Sequence, residues 1–282
     1  MDDDSNIQKK VERRFANDVM FNIPLWAMVA THLASWIYGM MLYSEYFNLY
    51  KEGNPAFRNK PTNWREDLAY FAGYSFFTGL TSTAGHELVH RREFYQKILG
   101  SIPYCTFYYS HFCTEHVSGH HKDIATKHDA VSHEKGTSFY YAIVRGICAT
   151  HLNTWNRECE RIRKYYLTRD GKEPSFYKYI VYNLMTAFFC LHVLITVAIY
   201  KMFGMGGLYF QFLHVLTGLF WAEAVNYIEH YGLARLQIGV DEDGREIYEA
   251  VDGFCSWNAP ASTLTFKIQR HSDHHRHGFR PY

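Results

Sequence analysis

Long segments without a formal charge constrain the fold of this chain more than any other feature of its sequence. Residues 19–44 are one such run of 26 residues, and residues 179–200 are another of 22. A helix rises about 1.5 Å per residue, so about 20 apolar residues cross a bilayer core of ~30 Å. Residues 68–85 and 202–222 are two further uncharged runs. We therefore predict an all-α, integral membrane bundle of about four transmembrane helices at these positions.

The segments between these runs complete the predicted topology. Residues 98–114 are also apolar, but Gly100 and Pro103 interrupt them, and a crossing here would separate the histidines before and after it on opposite faces of the membrane. We therefore predict that this segment is re-entrant or interfacial, which is tolerated where protein covers the backbone. Residues 115–178 are polar and basic and form a predicted cap outside the membrane. Since no internal repeat divides residues 1–282, we expect a single domain.

The overall composition excludes some functions. The formal net charge is only +1, with 29 Lys and Arg against 28 Asp and Glu, whereas a nucleic-acid-binding surface normally carries a basic excess. We therefore expect no nucleic acid among the partners. The six cysteines include no C-x2-C pair, which predicts free thiols rather than a disulfide framework.

Nine histidines occur in three clusters and one further position, and together they make a histidine-rich cap. Close clusters are difficult to explain by packing, because each ring has two nitrogens that need partners and each can bind a metal. Counting the predicted crossings puts all nine on one side of the membrane, where Lys and Arg are also concentrated. This predicts the cytoplasmic side, or the matrix side in a mitochondrion. The nine residues are His86, His90, His116, His120, His121, His230, His271, His274 and His275.

The spacing of these histidines favours a dinuclear metal centre. Residues i and i+4 lie on one face of a helix, so His86 and His90 can bind one metal ion or two adjacent ones. Nine neutral imidazoles exceed what one ion can use, and zinc catalysis typically needs about three protein ligands. Imidazole suits Zn, Cu, Fe and Ni about equally. Two redox-active irons at the mouth of an apolar bundle account best for both the number and the location of the ligands.

Five carboxylates are candidates to orient these rings through the second ring nitrogen. Four of them are next to a histidine in the sequence, and the fifth lies near the predicted end of the fourth spanning helix. The alternative, a set of surface or helix-capping imidazoles, does not explain why the same spacing recurs in three clusters. The five carboxylates are Glu87, Glu115, Glu223, Glu229 and Asp273.

Four stretches resemble the signature motifs of the alkane 1-monooxygenase and xylene monooxygenase branch of the membrane fatty acid desaturase and hydroxylase superfamily. The last two stretches distinguish this branch from desaturases and sterol hydroxylases, and the resemblance covers roughly residues 70–282. The stretches are His86-Glu87-Leu88-Val89-His90, His116-Val117-Ser118-Gly119-His120-His121, Asn226-Tyr227-Ile228-Glu229-His230-Tyr231-Gly232-Leu233 and Gln269-Arg270-His271-Ser272-Asp273-His274-His275.

The resemblance implies a non-haem di-iron centre with the nine histidines as ligands. It also implies terminal hydroxylation of an alkyl chain, an alkane or a fatty-acyl group that enters from the membrane lipids, with O2 and two electrons. The sequence contains no four-cysteine iron site, flavin fingerprint or haem motif. A separate electron-transfer protein is therefore expected, which by resemblance is of the rubredoxin or ferredoxin type.

The chain also departs from the family pattern. Family members usually have about six spanning helices and continue well beyond the last cluster, whereas this chain has room for about four and stops at Tyr282. Part of the substrate envelope is therefore expected to be missing. Two alternatives follow. One is a metal-retaining but inactive accessory subunit of a larger membrane complex, for example a respiratory one. The other is a lipid desaturase, which the motif at residues 226–233 fits poorly.

Overall fold

Helices account for nearly all of the regular structure. Our computed structural model describes residues 18–51, 64–260 and 262–278, with their side chains except those of residues 49–51 and 64–70. The described elements are mostly helical, which confirms the all-α prediction. The helices are α1 (Val19–Lys51), α2 (Trp64–Val89), α3 (Phe94–Thr106), α4 (Phe112–Glu115), a π-helix (His116–His120), α5 (His121–Asp123), α6 (Phe139–Asp170), α7 (Phe176–Val181), α8 (Leu184–His230), a 3₁₀ helix (Thr263–Thr265) and α9 (His271–Arg276). The strands β1 (Gln237–Val240) and β2 (Glu246–Tyr248) form one antiparallel pair.

The longest helix, α8, folds back on itself. The Thr196 hydroxyl bonds the Tyr108 hydroxyl at 2.6 Å, and Gln211 Nε2 donates to the backbone oxygen of Thr106 at 2.7 Å. On a straight helix Thr196 and Gln211 would lie about 22 Å apart, yet their partners are neighbours in one turn. Gly204 permits the reversal, because its φ of 62° and ψ of −155° are accessible to glycine with little strain. Helix α8 is therefore a helical hairpin with one arm on each side of Gly204.

The first arm of this hairpin starts later than the predicted span at residues 179–200. Helix α7 ends at Val181. The side chain of Asn183 then accepts a hydrogen bond from the backbone nitrogen of Met185 at 2.9 Å. This N-cap satisfies a backbone donor of the first turn, which otherwise has no helical partner. A new helix therefore begins at Leu184, inside a run of uncharged residues where hydropathy alone shows no boundary.

The segment predicted to be re-entrant turns back within the structure. Helix α3 runs antiparallel to α2, and the two backbones are so close that a Cβ added to Gly85 would lie 2.8 Å from the oxygen of Gly100. The chain then reverses at Tyr108, whose φ is 61°, and returns through α4. As a result the His116 ring lies 4.5 Å from the His86 ring at the end of α2. The relation of this segment to a membrane remains a prediction.

Polar side chains inside the bundle bond to one another across helices. His32 of α1 contacts the hydroxyl groups of Thr81 and Thr106 at 2.7 and 2.8 Å. His214 of α8 contacts the same Thr106 hydroxyl at 2.9 Å and the Tyr74 hydroxyl at 2.7 Å. Buried polar groups need such partners, above all in apolar surroundings. The network therefore ties α1, α2, α3 and α8 together.

Helix α6 lies across both ends of the α8 hairpin. Every fourth residue of α6 is buried along most of its length, which gives the helix one continuous inner stripe. Glu158 Oε2 accepts a hydrogen bond from the backbone nitrogen of Leu184, at the start of the hairpin, at 3.2 Å. Gly146 lies against the carboxyl group of Glu223, near the end of the hairpin. Helix α6 and the loops before it therefore form a cap over the bundle.

Two of the described helices are long and apolar enough to cross a membrane, at Val19–Asn48 and Leu184–His230. Only 6% of the most apolar window of α8 is buried, so α8 is not the core helix of a soluble domain. Large apolar side chains such as Phe189, Leu194 and Phe212 are exposed along it, and exposed apolar surface of this extent marks a contact with lipid or protein. The helix has the apolar exterior of a membrane protein, as the sequence predicted, and the number of crossings remains a prediction.

Candidate metal centre

Eight histidine side chains converge in two groups of four beneath the cap. Every ring is buried, and within each group the donor atoms all lie within 4.8 Å of one another. Helix α2 and the turn after it, the π-helix and α9 supply the first group, whereas the π-helix, α8 and α9 supply the second. The sequence motifs, which lie far apart along the chain, are thus brought to one place. The first group is His86, His90, His116 and His274, and the second is His120, His230, His271 and His275.

The π-helix determines how its histidines divide between the two groups. Because π-helical hydrogen bonds join residues five apart, His121 lies over His116, with 3.2 Å between their Nε2 atoms. His120 instead faces the rings of His230 and His275, whose centroids are 4.6 and 4.7 Å away. The His121 ring is also only 4.3 Å from that of His275. It is therefore the ninth ring, at the boundary of two adjoining groups, and all nine predicted ligand residues meet in one site.

Ring nitrogens without partners indicate that this site fits metal ions. Among the residues that the structure describes, both nitrogens of His86 and the Nε2 atom of His90 are buried and lack a hydrogen-bond partner. An unpaired buried polar group costs ~1–3 kcal/mol, and several in one place are unusual in a folded protein. Metal ions between the rings would satisfy these nitrogens, and the two groups would hold one ion each.

Hydrogen-bond partners in the second group indicate which nitrogen of His230 would face a metal. His230 Nδ1 lies 3.3 Å from the backbone oxygen of Cys255. His271 Nε2 lies 3.1 Å from Glu229 Oε2 but also 2.9 Å from His275 Nε2, within the group itself. In both rings the other nitrogen is buried and has no partner within the described part of the chain. Hydrogen bonds that anchor one nitrogen and leave the other open are typical of metal-binding histidines.

Burial keeps the rings in the form that binds metals. It lowers the pKa of His116, His274 and His275 well below 6.5, and neighbouring imidazoles lower the pKa of each further. A neutral imidazole keeps a lone pair on one nitrogen, which is the donor a metal needs. At neutral pH these three rings are therefore uncharged ligands, and metal binding would not have to displace protons from them.

Asp129 is a ring-orienting carboxylate that the sequence did not predict. Its two oxygens lie 3.1 and 3.0 Å from His120 Nδ1, which leaves Nε2 of that ring for a metal. Burial acts to raise the pKa of Asp129, but the His120 ring and the Ser132 hydroxyl outweigh it and the pKa is lowered to about 2. The only signal in the sequence was its place next to His128, an exposed residue outside the clusters.

The predicted carboxylates have different partners. Glu229 reaches His271, as described above. Glu87 instead pairs with Arg91 at 2.8 Å on the same helix, and Asp273 lies 3.9 Å from the arginine three residues before it. The remaining two, Glu115 and Glu223, are buried beside the second group. Burial raises the pKa of Glu115 to about 7, although a nearby arginine opposes the shift.

An apolar cavity of about 310 Å³ ends at the metal centre, where His86, His116 and His271 line it. It follows α2 for ~15 Å from Phe76 to His86, and Phe76 is exposed at the outer surface of the bundle. Ligand sites are typically concave and apolar with a few polar groups, and this cavity has that character. Its apolar walls include Phe76, Leu80, Trp221, Val225, Ile228 and Ile268.

Comparison with known proteins agrees with this site. The sequence profile of the fatty acid desaturase family matches residues 64–282, which contain all nine histidines. The chain belongs to the fatty acid desaturase family. This finding confirms the resemblance predicted from the four motifs.

Several relatives of this fatty acid desaturase family member are alkane 1-monooxygenases. The chain is 33% identical over 227 residues to the alkane 1-monooxygenase of Ectopseudomonas oleovorans, and 31% identical over 228 residues to that of Pseudomonas putida. It is 31% identical over 231 residues to alkane 1-monooxygenase 1 of Alcanivorax borkumensis. These alignments cover 79%, 78% and 79% of this chain but 53%, 52% and 52% of the relatives. The chain thus spans about half the length of the curated relatives it matches.

Proposed function

We propose that this member of the fatty acid desaturase family is a membrane-bound non-haem di-iron monooxygenase that hydroxylates an alkyl chain, an alkane or a fatty-acyl group. The observation that carries the proposal is the meeting of nine imidazoles, eight of them buried, with the end of an apolar cavity. Imidazole is a suitable ligand for iron, and the apolar walls fit an uncharged chain. Similarity to alkane 1-monooxygenases supports the same reaction class.

The residues of the chain have separate tasks in this reaction. When bound, two iron ions would supply the redox chemistry that reduces O2 and oxidises a C–H bond. The nine histidines would hold them, while Asp129 and Glu229 fix the orientation of His120 and His271. Trp221 and the other cavity walls bind the alkyl chain, exclude water and direct the end of the chain toward the histidines.

A separate protein would supply the electrons, and we propose a carrier of the rubredoxin or ferredoxin type. A polar groove on the cap supports this, since it is lined by Lys122, Arg157 and Arg235 among other residues. Lys122 directly follows His121 in the sequence. A carrier bound in this groove would therefore lie close to the histidines, and the cationic side chains would attract an acidic partner.

We propose a multi-pass protein with its histidine cap on the cytoplasmic side, or on the matrix side in a mitochondrion. Both ends of the α8 hairpin meet α6, which supports an even number of crossings between the second cluster and His230. The concentration of Lys and Arg in the cap supports the assignment of the side.

The direct test of this function is purification of the full chain in mild detergent, followed by iron analysis and an activity assay. The assay uses an alkane and a fatty acid as substrates and supplies a rubredoxin or ferredoxin with its reductase. We expect about two irons per chain, by the ligand-count argument above, and a terminal alcohol. His275→Ala should lose iron and activity. His277→Ala, which removes a histidine outside both groups, is the matched control and should keep both.

Other outcomes would assign other functions. An alkene product would identify a desaturase. Two irons without turnover, together with stable co-purification of other membrane subunits, would identify an accessory subunit. A folded, iron-free protein that is unchanged by His275→Ala would contradict the metal centre itself.

A further inference from the structure

A second, much smaller cavity adjoins the metal centre. Phe112, His116 and Asn226 line both this cavity and the apolar one, so they form the wall between them. The volume of the small cavity is about 10 Å³, which is room for about one water molecule. Its surface consists mostly of apolar atoms, but four of the five other residues that line it carry a polar group. These residues are Tyr109, Glu115, His120, Val131 and Thr150.

One of the lining side chains has an unmet need for hydrogen bonds. Both carboxyl oxygens of Glu115 are buried and lack a partner among the residues described, and only 3% of this residue is exposed. Gly119 provides the space for the carboxyl group, because a Cβ there would lie 2.0 Å from Glu115 Oε2. A buried carboxyl group without a partner is unfavourable. A water molecule in the cavity would satisfy it.

A series of polar groups leads from this cavity away from the histidine groups. The Tyr109 hydroxyl donates to Glu223 Oε1 at 2.5 Å and lies 2.9 Å from the Thr150 hydroxyl. Thr150 Oγ1 lies 3.3 Å from His111 Nε2. The centroid of the His111 ring is 3.8 Å from that of His151, which is partly exposed. The series therefore runs from the cavity wall toward the outside of the cap.

Helix α6 leaves room for the carboxyl group of Glu223. A Cβ added to Gly146 would lie 1.9 Å from Glu223 Oε2, so only glycine fits at this position of the buried stripe. Within the described chain, Glu223 Oε2 has no hydrogen-bond partner. The fold thus holds a buried carboxyl group against Tyr109 while leaving one of its oxygens without a fixed bond.

We propose that the small cavity holds one ordered water molecule and that Tyr109 and Glu223 deliver protons through it to the metal centre. This inference rests on the proposed function, because hydroxylation follows RH + O2 + 2 e⁻ + 2 H⁺ → ROH + H2O and so consumes protons in each turnover. The electrons come from the carrier protein and the protons from bulk water. The apolar cavity is lined mainly by hydrocarbon side chains, and the proposal assigns it to the alkyl substrate rather than to protons.

After one complete delivery of a proton, every group of the relay is back in its starting protonation state. The Tyr109 hydroxyl turns from Glu223 Oε1 to the cavity water and gives it a proton, and the Tyr109 oxygen then takes the carboxyl proton of neutral Glu223, so the phenol stays neutral. Thr150 and His111 then return a proton to Tyr109, and the phenol proton restores Glu223. Bulk water resupplies His111 beside the partly exposed His151, whose ring packs against that of His111. In sum, one proton moves from bulk water to the water beside His116 and His120.

The first test requires no turnover. It is a map of the full chain, as purified, at a resolution that shows ordered water. We expect a water molecule within hydrogen-bond distance of the Tyr109 hydroxyl and of Glu115. An empty cavity in this map would overturn the proposal.

The second test compares two variants that keep the shape of the side chain. Tyr109→Phe and Glu223→Gln should each lower kcat about 10²-fold, the usual range for lost acid–base help, with unchanged iron per chain and unchanged KM for the alkyl substrate. In D2O the kcat of Tyr109→Phe should fall further than that of the wild type, which a purely structural role would not cause. Tyr108→Phe is the matched control and should keep the wild-type kcat, because this hydroxyl bonds Thr196 instead.

An unchanged kcat in both variants, or an equal loss in Tyr108→Phe, would overturn the relay. Failure of the proposed function has a different signature, since the wild-type chain with two irons would then make no alcohol. In that case the map alone decides on the water site. A filled cavity supports it and an empty cavity overturns it.

Discussion

Each histidine ring has two nitrogens, and hydrogen bonds decide which of them faces the metal groups. His120, His230 and His271 each have one nitrogen near a carboxylate or a backbone oxygen. Their other nitrogens lack a partner within the described residues. At the scale of residues, His120 and His230 are thus held by anchors on the far side of each ring, whereas Glu229 contacts His271 at the nitrogen that also faces His275.

Asp129→Asn tests the anchor of His120. Asparagine keeps the size of the side chain but removes the charged acceptor of the Nδ1 hydrogen bond, so the metal affinity should fall about 10–100-fold. The measurement is the iron retained per chain after dialysis against a graded series of chelator concentrations. Asp123→Asn, which removes a carboxylate paired with Arg157 at 2.6 Å on the cap, is the control. Equal iron retention by the two variants would show that Asp129 has no such role.

At the scale of elements, two helical features shape the site. The π-helix sends His116 and His120 into different groups, and the reversal at Gly204 returns α8 to the cap so that His230 can join the second group. Both are departures from a regular α-helix. Such departures often mark functional sites.

Gly204→Ala tests the reversal in α8. Alanine is strained at the φ of 62° found here, so the variant should lose about 1–3 kcal/mol of stability. The measurement is thermal unfolding in one detergent. Gly73→Ala is the control, since Gly73 lies in α2 with open space around a Cβ, and it should gain up to about 1 kcal/mol. Equal unfolding temperatures for the two variants would show that α8 does not depend on this glycine.

Val225→Phe tests the apolar cavity between α2 and α8. The phenylalanine ring would fill space beside the histidines. It should weaken the binding of an alkyl substrate that occupies the full length of the cavity by about 1–3 kcal/mol. The ratio of kcat/KM for long over short alkyl substrates should therefore fall about tenfold. Leu216→Phe on the exposed face of α8 should leave the ratio unchanged. A ratio that is the same in Val225→Phe as in the wild type would exclude this cavity as the alkyl site.

The helical class and the nine candidate ligand residues could be predicted from the sequence, because both signals are local. Uncharged runs and clustered imidazoles can be found without knowing which residues meet in space. Asn183 and Gly204 redefine the helices within uncharged runs, where hydropathy has no contrast. Glu223 was predicted near the site from its place on the fourth spanning helix, but its partner Tyr109 was not. Asp129 and Tyr109 reach the site through packing between distant segments, so nothing near them in the sequence marked them as partners of the site.

At the scale of the whole molecule, the histidine groups lie between two kinds of access. The apolar cavity leads along α2 toward the exposed surface of the bundle, and polar side chains beside the small cavity lead toward α6 and the cap. A monooxygenase needs this separation, because its substrate is insoluble in water whereas its protons come from water. The roles proposed for both cavities depend on the presence of two metal ions in the two histidine groups.

The most direct test of that central claim is an anomalous-scattering map of the full chain, recorded at the iron absorption edge. We predict two peaks, one among the rings of each histidine group. A single peak, no peak in a folded chain, or iron bound away from these groups would contradict the di-iron centre.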